Sequence, residues 1–270
     1  MIESEAIDLL LHKIARRYGY NFEDYARASL HRRIELFYSK TKQPSFAQMQ
    51  ERLMQDPIFF MNFVEQITVN VTEMFRDPLF YKLLREEVMP MLATYPFIRI
   101  WHAGCSTGEE VFSMAILLKE ANLLHKSILY ATDINQAVLA KAKSGIFPIS
   151  AMQQNSENYI RSGGKEDFSG YYKANHNHAK FDDSLSEKMI FSTHNLAADA
   201  SFNEFQLILC RNVLIYFNRE LQARVLQLFD RSLESLGFLA LGSKESIKFS
   251  PIAAYYRQLA QNEKVWRKNK

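Results

Sequence analysis

Apolar positions recur at helical spacing through the first quarter of the chain. Ile7, Leu10, Leu11 and Ile14 mark one buried face, and Leu30, Ile34, Phe37 and Tyr38 mark a second. Ser45 followed by Gln48 has the form of a capping box, and Asp56-Pro57 supplies a cap and a first-turn proline for the next helix. Asp77-Pro78 has the same form and predicts a helix running to about Thr94. After Pro96 the pattern changes. Short apolar runs at 97–101, 127–131, 205–210, 238–241 and 265–267 alternate with amphipathic stretches at 109–120, 136–143 and 220–236. Such alternation predicts an α/β fold with a largely parallel sheet covered on both faces, doubly wound if its crossovers are right-handed.

Residues 162–191 break the alternation with Ser-Gly-Gly, then Tyr171, Tyr172, Phe181 and a polar Asp182-Asp183-Ser184 turn. This predicts a small antiparallel β-subdomain inserted at about 165–194. The expected division is a helical unit over 1–75 and an α/β unit over 76–270.

Composition narrows the class. In 270 residues, 47% are hydrophobic and 23% charged, which excludes a disordered chain and allows an enzyme core with an accessory unit. No apolar run reaches the roughly 18 residues of a membrane span. Glu3, Glu5 and Asp8 are unlike the basic opening of a signal peptide, so a cytoplasmic protein is expected, with no direct membrane insertion. Two cysteines, Cys105 and Cys210, fit a reducing compartment. A net charge of +3 does not indicate nucleic acid, but the charge is uneven: eight Lys or Arg face three Asp or Glu between His12 and Lys42.

Ligands of open parallel sheets bind beyond the carboxyl ends of the strands, where strand order reverses. The first predicted strand runs into Ala103-Gly104-Cys105-Ser106-Thr107-Gly108-Glu109-Glu110 and then a helix. Two glycines permit close backbone approach, and the helix start offers unpaired N–H groups. The second strand ends at Asp133, 25 residues past Gly108, near the spacing at which an acidic residue grips ribose hydroxyls. The loop is not G-x-G-x-x-G, and Glu109-Glu110 would repel a pyrophosphate. A ligand with adenine and ribose but no phosphate fits better, and S-adenosylmethionine is one. The alternative is that both glycines merely turn the chain and Asp133 caps the next helix.

Five segments in order carry a resemblance: T-V-N-V-T-E-M-F-R-D-P from Thr68, A-G-C-S-T-G-E-E from Ala103, A-T-D-I from Ala131, His194-Asn195-Leu196, and C-R-N-V-L-I-Y-F from Cys210. Over nearly its whole length the chain resembles the CheR-type chemotaxis receptor methyltransferases. The resemblance implies an all-helical N-terminal domain ahead of a Rossmann-like class I methyltransferase sheet carrying a small β-subdomain. It implies S-adenosylmethionine as cofactor, S-adenosylhomocysteine as product, and methyl esters formed on glutamates in the cytoplasmic helical domain of a methyl-accepting chemoreceptor, by a monomer. By the same carry-over, Asn70, Thr72 and Arg76 meet the cofactor from the linker, with Gly104 in the first loop. Glu110 lies near its methionine part and Asp133 binds the ribose. Asn195 and Leu196 border the adenine, and Asn212 and Val213 close the pocket. Arg76 and Tyr216 are the residues implied to arrange the reacting carboxylate. The hairpin after Gly170 lacks the Gly-rich turn of members that grip a receptor's tail peptide. A rival reading is a catalytically idle scaffold that binds cofactor or receptor.

The chemistry suits these side chains. A glutamate is already ionised near neutrality, so methyl transfer needs no general base. It needs the carboxylate stripped of water and held in line. Arg76 can hold a carboxylate through paired hydrogen bonds, either the substrate's or the cofactor's own, and the sequence leaves both open, together with a plain ion pair to Asp77 or Glu73. Tyr216 can donate a phenolic hydrogen bond without adding charge, or serve only as a core aromatic.

On a helical wheel centred on Ile34, Leu30, Phe37 and Tyr38 lie within about 60°, while Arg32, Arg33 and Lys40 fall at about 160°, 260° and 240°. That basic face is expected to dock the acidic helix bearing the target glutamates. His176 and His178 alternate in an expected strand, with no third ligand to complete a metal site. Both cysteines are expected to line the pocket.

Overall fold

The computed structural model describes residues 2–68 and 72–269. Four helices come first: α1 (Ser4–Tyr18), α2 (Arg27–Thr41), α3 (Phe46–Gln55) and α4 (Pro57–Ile67). Their apolar faces meet in one core containing Leu10, Ile14, Ile34, Phe37, Leu53 and Phe63. The expected caps form. Ser45 Oγ accepts from Gln48 N at 3.2 Å, and Asp56 Oδ1 accepts from Ile58 N and Phe59 N at 3.1 and 3.0 Å. Two such caps stabilise the helix starts by about 1 kcal/mol each.

The helix after Asp77 is less regular than expected. It runs as α5 (Pro78–Leu83), a π turn at Leu84–Val88 and α6 (Met89–Leu92), the irregularity falling just before Pro90, whose ring and missing N–H disfavour a regular ladder. Asp77 does not cap it. Its own backbone is left-handed (φ 59°) and its carboxylate is taken by Arg211 at 2.7 Å.

Then follow β1 (Ile98–Ala103), α7 (Glu109–Glu120), β2 (Ser127–Asp133), α8 (Gln136–Ser144), β3 (Ile146–Pro148), α9 (Met152–Arg161), β4 (Tyr172–Asn175), β5 (His178–Phe181) and α10 (Asp183–Ser186). The chain closes with β6 (Met189–Thr193), β7 (Phe205–Cys210), α11 (Arg219–Ser232), β8 (Leu233–Leu241), β9 (Tyr256–Gln258) and β10 (Val265–Lys268). Seven strands form one sheet in the order β6-β2-β1-β7-β8-β10-β9, parallel except for β10.

Side-chain alternation splits this sheet between two cores. Ile100, Leu207, Leu209 and Phe238 enter one, while Trp101, Ile208, Cys210 and Leu239 enter the other. Burial on both faces explains the continuous apolar reading of β7. The order reverses at β1, which has β2 on one side and β7 on the other.

Two expected spans shift. The small sheet, ordered β3-β5-β4, recruits Ile146–Pro148 from well before residue 165. Met189–Thr193, assigned from sequence to the insertion, instead pairs in parallel with β2 as the edge of the large sheet. Likewise Met74 and Phe75, placed on the helical side of a boundary at 75, are wholly buried in the α/β core. His176 sits at the β4–β5 turn with φ 40°, outside any strand. No helix among the described residues is long and apolar enough to cross a membrane.

Candidate functional site

Four loops at the carboxyl ends of strands meet the end of the helical domain around one cavity. The loop after β1 supplies its floor. Gly104 N and Cys105 N donate to Thr132 O at 2.8 and 2.9 Å, drawing the loop onto the end of β2. Gly104 has φ 81°, and a Cβ there would stand 2.5 Å from Val213 Cγ2, so only glycine allows this contact with the loop after β7.

Asp133 does not cap α8; Asn135 does, accepting from Ala137 N at 2.9 Å. The Asp133 carboxylate instead accepts from Ser106 N and Asn135 N, both at 2.9 Å, and faces the cavity. Burial raises its pKa above the usual range against the pull of these N–H groups. Tyr25 and Tyr20, from the helical domain, have their own pKa values raised by burial and by this carboxylate.

Of the acidic pair opening α7, Glu110 lines the cavity, while Glu109 accepts from Thr107 Oγ1 at 2.6 Å. Glu110 Oε1 lies 2.9 Å from Nδ1 of wholly buried His102, and its Oε2 accepts from Arg211 Nη1 at 3.3 Å. Burial alone would raise this carboxyl, but His102 and Arg211 outweigh it and hold it below the ordinary value. The Arg211 side chain is only 3% exposed. It also donates to Arg76 O at 3.0 Å and to Asp77, with its guanidinium 4.1 Å from the Phe80 ring centroid.

Arg76 lines the cavity between two left-handed non-glycine residues, Phe75 (φ 52°) and Asp77 (φ 59°). Such conformations cost about 1 kcal/mol or more each and persist only where surrounding bonds impose them. Those bonds are present: Ser113 Oγ accepts from Phe75 N at 2.9 Å, Asn155 Oδ1 from Met74 N at 3.1 Å, and Asn158 donates to Met74 O at 3.1 Å.

Tyr216 stands at the mouth, partly buried, its hydroxyl pKa raised by burial against the lowering influence of Arg33 and Arg76. It therefore stays a neutral donor. Arg33 is a finding. Sequence grouped it with Arg32 and Lys40 on an exposed face, and those two are exposed. Arg33 instead turns toward the cavity, bonding Ser29 O, Ser29 Oγ and Ile67 O, with its guanidinium 5.2 Å from the Tyr216 ring centroid. The start of α2 abuts the second domain, where Ala26 N donates to Tyr216 O at 2.8 Å and Tyr25 bridges Phe217.

The remaining expected residues divide as follows. Thr72, Asn195, Leu196, Asn212 and Val213 all line the cavity; Asn70 lies outside the described residues. Asn195 is shaped by its own turn, its Oδ1 accepting from Ala197 N at 3.0 Å. Cys105 lines the cavity, but Cys210 is packed in the core that also holds Trp101. Sequence reading missed Tyr25, His102, Arg211 and Glu245. For Arg211 a signal existed: a charge directly after the largely apolar run of β7 has to find partners.

A reversing parallel sheet with its last inner strand antiparallel, and a Gly-turn and acidic strand end at the reversal, define a class I S-adenosylmethionine-dependent methyltransferase. Residues 70–263 match the model of the CheR methyltransferase SAM binding domain, and residues 5–68 match the CheR methyltransferase all-alpha domain. The chain belongs to the CheR methyltransferase family. It is 46% identical to "Putative methyltransferase Cher3" of Pseudomonas putida over 97% of this chain and 96% of that one. It is 32% identical to a chemotaxis protein methyltransferase of Listeria innocua over 87% of each. Among solved structures, a Geobacter sulfurreducens methyltransferase bound to S-adenosyl-L-homocysteine superposes loosely (TM-score 0.37, 14% identity, 74% of this chain and 57% of that one).

Proposed function

We propose that this methyltransferase esterifies glutamate side chains on the cytoplasmic helices of a chemoreceptor-like signalling protein. One observation carries the reading: a single cavity is lined both by two largely buried carboxylates, Glu110 and Asp133, and by a separate group of Arg33, Arg76 and Tyr216. The carboxylates suit a ligand with hydroxyls and positive charge, and the arginines with Tyr216 suit an incoming anion.

The wall also fits the cofactor in detail. Ser106 Oγ and His194 Nδ1, both in cavity-lining residues, are buried without a hydrogen-bond partner among the described residues. When bound, S-adenosylmethionine supplies an electrophilic methyl group on a sulfonium. Asp133 accepts from ribose hydroxyls, Glu110 offers charge to the methionine part, and Asn195 with Leu196 borders the adenine. Asn212 and Val213 close the cavity, joined from the linker side by Thr72 and, by resemblance, Asn70. Arg76 and Tyr216 hold the target carboxylate in line, and because that group is already ionised no proton has to move.

The test is incubation with methyl-labelled cofactor and receptor cytoplasmic fragments, followed by mild alkali. Base-labile label on the fragment is expected, and Tyr216→Phe should lower kcat by about 10- to 100-fold, the worth of a hydrogen bond to a charged group. Alkali-stable label, or none on any fragment, would overturn the reading.

Docking of the receptor helix falls to the exposed Arg32 and Lys40 of α2, the face opposite Leu30, Ile34 and Phe37. Arg32→Glu with Lys40→Glu is expected to raise the apparent KM for receptor by about tenfold, an effect that fades with salt, and to leave cofactor affinity unchanged. Arg33 is unsuitable for that experiment because it lines the cavity.

A further inference from the structure

We propose that Glu245 is a positioning residue whose buried carboxylate holds the turn after β7 in the shape that closes the cofactor cavity and presents Tyr216. This rests on the functional reading above. Glu245 lies beyond β8, is 5% exposed and does not itself line the cavity. Its Oε2 accepts from Gly242 N at 2.6 Å and Asn212 N at 3.0 Å, and its Oε1 accepts from Ile215 N at 3.3 Å. Two of these three donors, Asn212 N and Ile215 N, belong to the segment that carries Asn212, Val213 and Tyr216.

That segment needs an external hold. Asn212 is left-handed (φ 61°) without being glycine, and only a single 3-10 turn, Leu214–Tyr216, follows before α11. Backbone N–H groups at such a turn have few internal partners. Gly242 makes the approach possible. A Cβ there would stand 2.7 Å from Asn212 N and 2.8 Å from Glu245 Oε2. The effect continues across the sheet, since Val213 presses on Gly104 in the loop after β1. Glu245 thus ties together the ends of β8, β7 and β1, three adjacent strands.

A carboxylate is the right group for this work. It offers two acceptor oxygens to converging donors, whereas an amide turns one NH2 against them. Burial raises the Glu245 carboxyl above its ordinary value, and the N–H groups that donate to it offset only part of that rise.

The test is Glu245→Gln, with steady-state methylation of a receptor fragment and calorimetric titration with S-adenosylhomocysteine. The expected result is a folded protein with kcat lowered by about tenfold or more, S-adenosylhomocysteine Kd raised several-fold, and receptor KM unchanged. A merely structural role would not separate kcat from receptor KM. If Glu245→Gln does not fold, Glu245→Asp decides: the charge on a shorter stem should give the same split, smaller in size. Wild-type kcat and Kd in the folded variant, or receptor KM rising in step with the loss of kcat, would overturn the proposal. A wild-type chain that binds no S-adenosylhomocysteine would instead sink the functional reading, and this inference with it.

Discussion

Arg211→Met is expected to lower the melting temperature by on the order of 10 °C near neutral pH, the largest stability loss of any single change around the site. The guanidinium is enclosed by Glu110, Asp77, the Arg76 carbonyl and the Phe80 ring. Methionine can refill the volume over the ring but not the charge. Truncating one partner of a buried pair costs roughly 3–5 kcal/mol, because the other charge is left uncompensated. Here that charge is Glu110. Its folded-state pKa is depressed, so its interactions contribute stability above the ordinary carboxylate range and lose it as pH falls through the folded value. Without Arg211, only His102 is left to oppose burial, and Glu110 takes up a proton more readily. The gap between variant and wild type should therefore be widest near neutrality and narrow in acid, as Glu110 becomes neutral in both. Thermal unfolding followed by circular dichroism across that range measures it. A second change, Glu110→Gln, should restore part of the loss in the Arg211→Met background. Equal melting temperatures for Arg211→Met and wild type would show that the network contributes nothing.

The contrast between Arg211 and β7 shows what a single sequence discloses. Phe205–Cys210 was legible because its period and length are local properties, and Ser45 and Asp56 because capping reaches only three residues ahead. Met189–Thr193 was not. It is an edge strand of mixed polarity, paired on one side only, and local pattern could not separate it from the insertion it follows. Tyr256–Gln258, three residues paired to β10 alone, left no pattern at all. Arg33 was misread for a related reason: a wheel assigns an angle, but whether that angle meets water depends on a domain more than a hundred residues away. The cavity-lining residues came through the resemblance and the Gly-turn spacing. The charges beside them, Arg211 and Glu245, answer to partners as distant as Asp77 and Asn212, and only the fold reveals which partners those are.

Asp133→Asn is expected to raise the dissociation constant for S-adenosylhomocysteine by about 100- to 1000-fold while leaving the unliganded protein within about 1 kcal/mol of wild type. The two effects part because the carboxylate is a poor contributor to the empty fold. Burial raises its pKa, so by linkage it favours the folded state below the unfolded pKa and loses that contribution as pH rises through the folded value. At neutral pH the ionised group is therefore a burden, offset by the N–H groups of Ser106 and Asn135. An amide relieves the burden and forfeits one of those bonds, two changes of opposite sign. Toward ribose the loss is one-sided, because only the carboxylate can accept from two neighbouring hydroxyls without presenting a donor. The same raised pKa gives the wild type an acid limb in binding that begins above the ordinary aspartate range, as protonation removes the acceptor. Calorimetry over a pH series should show that limb in the wild type and a flat, weak profile in Asp133→Asn. Unchanged affinity in the variant would remove Asp133 from the cofactor site and leave its burial without a functional reason.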